Sequence, residues 1–218
     1  RFVWGCVPRV DGDPLFSALL GGQEPEAGYW SIELEDGVSV EQSYLRNTPI
    51  LVSRHTDAEG NAMEVVDFCP YFRRLGRSYR PVSFVRIVRP VAGSPRVRVK
   101  LRPTCGWGSV CRQQIGGSNH IRYQTEALAL RLSTTAPIAM VEEERPFRLE
   151  QDLHFFLGPD ESFSGDIRRS VEEMLAQTSA QWREWVRGLA IPLEWQDVVI
   201  RSAITLKLCQ HEETGAIV

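Results

Sequence analysis

Residues 50–68 read ILVSRHTDAEGNAMEVVDF, two apolar runs flanking a polar stretch. Because successive side chains of a strand point to opposite faces, runs of Val, Ile and Leu this short and this close together indicate strands rather than helices. Ile50–Arg54 and Met63–Phe68 therefore predict two strands, and HTDAEGNA at 55–62 predicts the hairpin loop between them. Asp57, Gly60 and Asn61 in that loop accept turn geometries that β-branched residues resist.

The same pattern recurs outward, from Tyr29 to about Leu157. Further runs are Ser31–Glu35, Val38–Leu45, Ser83–Arg89, Val97–Arg102, Ile121–Thr125, Leu128–Ser133, Ile138–Val141 and Leu153–Leu157, separated by Gly, Pro, Asn and Asp clusters. Many short strands joined by short connections predict a mainly β fold, a sandwich of antiparallel sheets. Arg86, Arg89, Arg96, Arg98 and Arg102 fall within these runs and read as solvent-facing strand positions.

After residue 159 the periodicity changes. From Asp166 to Arg187, Ile167, Val171, Met174, Leu175, Trp182, Trp185 and Val186 recur at three- and four-residue spacing, the stripe of an amphipathic helix. Ser164 or Asp166 can cap its start and Gly188 can end it. Pro192 then breaks helical continuity, and a second helix is expected over Trp195–His211. Its apolar residues, among them Trp195, Val198, Val199, Ile200, Ile204, Leu206 and Leu208, cover more than one stripe. Such a helix belongs inside a larger helical body. The expected organisation is a sandwich over 1–159, an amphipathic helix with its connector over 160–194, and over 195–218 a helix of a helical domain that the sequence leaves incomplete.

Composition narrows the function classes. The 218 residues carry 25 Lys and Arg against 28 Asp and Glu, a net charge of -3, with only Lys100 and Lys207 as lysines. A slight acidic excess without a basic patch argues against a nucleic-acid partner, and no apolar stretch is long enough to span a bilayer. RFVWGCVPRV lacks the charged and apolar regions of a signal peptide, and without an initiating Met the true start is expected upstream. Five cysteines, Cys6, Cys69, Cys105, Cys111 and Cys209, form no compact framework and suit reduced thiols in a cytoplasm. Metal spacing is absent too. The histidines, His55, His120, His154 and His211, form no paired motif and read as surface or capping residues.

No nucleophile elbow, phosphate loop or dinucleotide fingerprint occurs, and no cofactor is expected. Glu142, Glu143 and Glu144 precede Pro146 and read as a solvated strand end or turn. The candidate site is WGCVPRVDGDPLF at 4–16, a Gly/Pro-rich loop with Trp4, Arg9, Asp11 and Asp13. Aromatic rings stack on sugar faces and charged groups grip hydroxyls, so these four are candidate substrate-binding residues. An Arg9–Asp11 pair could equally hold the loop in shape, with Asp residues capping turns and Trp4 filling core.

Three segments carry a family resemblance: VWGCVPRVDGDPLFSALLGG at 3–22, SYLRNTPILVSRHTDAEGNAMEVVDFCP at 43–70, and WREWVRGLAIPLEWQDVVIRSAITLKLCQHEETGAIV at 182–218. In this order they resemble the amino-terminal part of bacterial glycoside hydrolase family 15, the glucoamylase- and trehalase-like enzymes. The resemblance implies a super-β-sandwich joined by a linker helix to an (α/α) barrel, truncated here after its first helix. It further implies hydrolysis of an α-glucosidic bond with inversion, by two carboxyl groups roughly 6.5–9.5 Å apart. Neither catalytic glutamate has a counterpart in this sequence, so this segment alone is expected to be inactive. The implied substrate is a starch-type or dextran-type α-glucan or trehalose, bound by the barrel, with the 4–16 loop facing it. Self-association into a homo-oligomer is a further expectation. A non-catalytic carbohydrate-binding or structural sandwich is the alternative reading.

Overall fold

The structure is a computed structural model. It describes the chain except residues 23, 24, 126, 127, 164, 212, 213 and 218, and at 112–116 the backbone alone. Its centre is an eight-stranded antiparallel sheet. In spatial order the strands are Arg112–Gly117, His120–Gln124, Ala129–Thr134, Leu153–Pro159, Phe84–Ala92, Ala62–Phe68, Leu51–Asp57 and Gly37–Tyr44. A second sheet orders Phe147–Arg148, Arg96–Arg102 and Tyr29–Leu34. The hairpin expected from 50–68 is present, with Leu51 opposite Asp67 and Thr56 opposite Ala62.

The large sheet is covered on both faces. Its inner side chains, including Met63, Val65, Val88, Ile121, Leu132, Phe155 and Leu157, meet Trp30, Ile32, Val97 and Val99 of the small sheet. Its outer side chains, Val66, Phe68, Val85, Ile87 and Phe156, form a separate cluster with Ile167 and Val171 of a long helix. The chain is thus a sandwich with a helix packed on its back. Double-sided cover explains why Phe84–Val88 has four consecutive buried residues after the first, where a one-faced strand would alternate.

That cover overturns one reading. Arg86 is 2% exposed and points between the sheets, where it meets Asp67 on the neighbouring strand at 2.8 and 3.1 Å and donates to the Trp30 carbonyl at 2.9 Å. Its guanidinium also lies 4.6 Å from the Phe2 ring centre and 5.2 Å from that of Trp30. A bidentate partner and aromatic faces are what a charge needs to remain inside a low-dielectric layer. Arg89, by contrast, is partly exposed and pairs with Asp152 and Glu172.

Two further expectations change. Ile138–Val141 is no strand but lies in a short helix, α1 (Ile138–Glu142), entered from Pro137. Ile138 and Val141 are buried in the sandwich core, and a three-residue separation puts both on one helix face. The Glu142–Glu144 run accordingly ends a helix rather than a strand. Arg112–Gly117 is a strand that was not anticipated, because RQQIGG shows no apolar alternation.

Helix α2 (Ile167–Arg187) matches its expected span, with the Asp166 carboxylate accepting from the Arg168 N–H at 3.0 Å. Gly188 caps its end; Ser164 lies outside the described residues. The helix is pinned to the large sheet by His154, which is buried and bonds Glu172 through Nε2 at 2.9 Å. His120 is also buried, so the surface reading fails for these two histidines. Helix α3 (Gln196–Leu208) follows, shorter than expected, with Ile204 as its one fully buried side chain among the described residues.

Candidate functional site

The 4–16 loop is built on a firm base. Gly5–Cys6 pairs with Pro14–Phe16, and Phe16 is buried in a ring cluster with Phe2 and Phe84 at centroid distances of 6.2 and 5.5 Å. The Thr104 hydroxyl donates to the Pro14 carbonyl at 3.1 Å. Between these anchors Val7 is buried in the core and residues 8–13 bulge outward, turned by the Gly12 N–H donating to the Arg9 carbonyl at 3.1 Å.

At the tip, the Arg9 guanidinium donates to both oxygens of Asp11, each at 2.9 Å. Both side chains are exposed, at 77% and 63%, so the pair shapes the loop and adds little stability. The hydrogen bond from Arg9 is the main reason the Asp11 carboxyl lies below its ordinary range, and the nearby His211 adds in the same direction. His211 belongs to the segment after α3. Pro8, Arg9 and Asp11 on one side, and Cys209, Gln210 and His211 on the other, bound an open cleft of about 1080 Å³ into which Arg80 also faces.

The four sequence candidates therefore separate. Arg9 and Asp11 line the cleft; Trp4 and Asp13 do not. Trp4, at the start of the loop, is exposed and does not fill core. Asp13 accepts from the backbone N–H of Gly106 and, at 2.8 Å, from that of Trp107, holding the tip of a small hairpin formed by Thr104–Cys105 and Ser109–Val110. Gly106, Trp107 and Gly108 all have positive φ, at 56°, 61° and 137°. Trp107 pays a steric penalty there that glycine would not, and the two bonds from Asp13 offset it.

Sequence reasoning missed Arg80, Gln210 and His211 as partners of the loop. Nothing local flags them, since about 70 residues separate Arg80, and roughly 200 separate Gln210 and His211, from Arg9 and Asp11. The segment holding His211 has its own geometry: the His211 N–H donates to the Ala216 carbonyl at 2.7 Å, and its Nδ1 lies 3.1 Å from the Thr214 hydroxyl. Chemically, the cleft offers a guanidinium, a carboxylate, an imidazole and an amide, which suits hydroxyl groups carrying both donors and acceptors. Asp11 is the only carboxylate among its described lining residues, whereas general acid and base work on a glycoside needs two.

Among the described residues no cluster of three metal-ligating side chains occurs, and no helix is long and apolar enough to cross a membrane. Residues 1–149 match the family model described as trehalase-like, N-terminal. The chain is 24% identical over 231 residues to the trehalase of Thermoplasma volcanium, covering 99% of this chain and 35% of that protein. It is 24% identical over 227 residues to the trehalase of Thermoplasma acidophilum, covering 99% of this chain and 38% of that one. The chain thus spans little more than a third of the length of these relatives. No solved structure matches it significantly.

Proposed function

The chain belongs to the trehalase-like, N-terminal family, and from that premise we propose that it is the amino-terminal part of an inverting α-glycoside hydrolase of glycoside hydrolase family 15. In this reading residues 1–159 are a scaffold, α2 is the linker helix, and α3 opens an (α/α) barrel that carries both catalytic carboxylates. The substrate is trehalose or an α-glucan, and the five free thiols fit a cytoplasmic enzyme.

The observation that carries the reading is the cleft. The loop holding Arg9 and Asp11 faces the chain just beyond α3 across open space, which is where a barrel starting at α3 would present its loops. Binding groups are commonly displayed on loops held by a rigid scaffold. In the full-length protein, release of glucose from trehalose, maltose, maltooligosaccharides or dextrin is the decisive assay. Failure on all of them removes the hydrolase reading.

Asp11→Asn and Arg9→Gln sharpen it. Both residues are exposed, so thermal stability should hardly change, while kcat/KM should fall about tenfold if either group bonds substrate. Unchanged kinetics in both variants would return the pair to a purely structural role.

A further inference from the structure

A second recess lies on the sandwich itself, away from the cleft. It has a volume of about 490 Å³, within the range of about 300–1,000 Å³ usual for small-molecule sites. Leu101, Val110 and Val141 supply apolar walls, and Glu26, Glu142 and Glu144 stand around it with Arg102. Arg102 is fixed by Glu144, with Nε and Nη2 donating to its two oxygens at 2.7 and 2.6 Å, and by the Glu26 carbonyl at 2.8 Å. The Glu142 carboxylate has no hydrogen-bond partner among the described residues.

Tyr123 is the informative member. It is only 3% exposed and lines the recess, yet its phenol oxygen has no hydrogen-bond partner among the described residues. The oxygen itself is not one of the buried polar atoms left without a partner, so it opens onto the recess and can pair with water or a ligand there. Burial, and then the charges of Glu142 and Glu144, push the phenol well above its ordinary pKa. It therefore stays protonated and serves as a donor.

We propose that this recess binds a saccharide unit, with the sugar's C–H face on the exposed side chain of Val110 and its hydroxyls bonded by Tyr123, Glu142 and Arg102. The recess carries donors and acceptors together, the phenol and guanidinium donating and the Glu142 carboxylate accepting. Sugar hydroxyls match that mixture, since each can donate to a carboxylate and accept from a phenol or guanidinium. An organic amine offers only donors and would leave Tyr123 and Arg102 unmatched. A metal ion would need convergent ligands, and no such group occurs among the described residues. The inference does not depend on the hydrolase reading, because none of these residues lines the cleft.

The test uses the 218-residue chain titrated with maltose, maltotriose and trehalose while backbone amide signals are followed by NMR. Shifts at Val110, Cys111, Tyr123, Val141 and Glu142 are expected for at least one sugar. Tyr123→Phe, which deletes one oxygen, should weaken binding by about threefold to tenfold, and Glu142→Gln should do the same. Glu142 is exposed, so that variant remains informative if the core substitution fails to fold. No shift at these residues with any of the three sugars overturns the proposal. So do shifts confined to Arg9, Asp11 and His211, unchanged affinity in both variants, or displacement of the sugar by spermidine or calcium. The hydrolysis assay on the full-length protein decides the other reading independently.

Discussion

Helices α2 and α3 are both rich in apolar residues, and the sandwich treats them in opposite ways. Along α2, Ile167, Val171, Trp182 and Val186 are buried, while charged residues such as Arg169 and Glu173 pair on its open face. Along α3, Ile204 alone is buried among the described residues, and Val198, Leu206 and Leu208 are exposed. Trp195, at its N-cap, is 78% exposed and held at φ 61° without a side-chain cap bond. A helix with a complete partner buries its stripe and is capped. One whose apolar residues look outward on several sides suits a larger helical body, which supports the reading of α3 as a barrel helix.

The sharpest way to break this comparison is to truncate one apolar side chain on each helix, a buried one on α2 and an exposed one on α3. Trp182 packs against Val186, Ile204 and Tyr71, so Trp182→Ala should lower unfolding free energy by about 3–5 kcal/mol in denaturant titrations. Leu206→Ser on α3 should change it by no more than about 0.5 kcal/mol. Equal losses at the two positions would mean that α3 is as well packed as α2.

Amide exchange sharpens it next. In a monomeric sample, amides from Ile200 to Leu208 should exchange at least about tenfold faster than those from Val171 to Trp182, since little apolar contact resists local opening of α3. Protection as strong as in α2 would contradict the exposure of its side chains, unless sedimentation shows that α3 has docked onto a second copy.

How far the sequence spoke for these regions depends on how local the cause was. The stripe of α2 and its Asp166 cap were legible because spacing and capping act within a turn or two. The hairpin through Asp57 and Asn61 was legible for the same reason: the Asp57 carboxylate accepts from the Glu59 and Asn61 N–H groups at 2.9 and 2.8 Å. Arg86 was misread because alternation says that residues face opposite ways but not which way is wet. With the large sheet covered on both faces, an arginine at an alternate position lay in the sandwich. Ile138–Val141 was misread because β-branched residues favour strands only weakly, and burial of an i, i+3 pair decided for helix. The Arg9–Asp11 pair could be named because the residues are two apart; its neighbours Arg80 and His211 arrive through tertiary structure.

Acid should weaken the seat of α2 before that of α3. Burial raises the Glu172 pKa, but hydrogen bonds from His154 and Arg89 and the Arg89 charge outweigh it, so the folded value lies below the ordinary 4.5. A lowered carboxylate pKa stabilises the fold above the unfolded value, and that contribution is lost as pH falls from about 4.5 through the folded value. Because Glu172 is partly exposed, the effect should be modest and reduced by salt. Stability of the wild type and of Glu172→Gln measured from pH 6 to pH 3 should converge at the acid end. Parallel curves would show that Glu172 does not couple protonation to folding.

The smallest expected effect is at Trp195, and it probes α3 from the other side. A bulky residue at positive φ is strained, and Asn tolerates that region better while remaining a good N-cap type. Since the Trp195 ring is largely exposed, its removal should forfeit little packing, and Trp195→Asn should raise stability by about 0.5 kcal/mol or slightly more. Thermal melts of the 218-residue chain read this directly. In the full-length protein the same substitution should be destabilising if a barrel covers α3, because the ring would then be buried, and burial of a large apolar side chain is worth about 1.5–3 kcal/mol. A gain in stability in both contexts would detach Trp195 from any covered face, and a loss in both would show that the ring already packs against the sandwich. Opposite signs in the short chain and the full-length protein are the outcome expected if the partner surface of α3 lies in the proposed barrel.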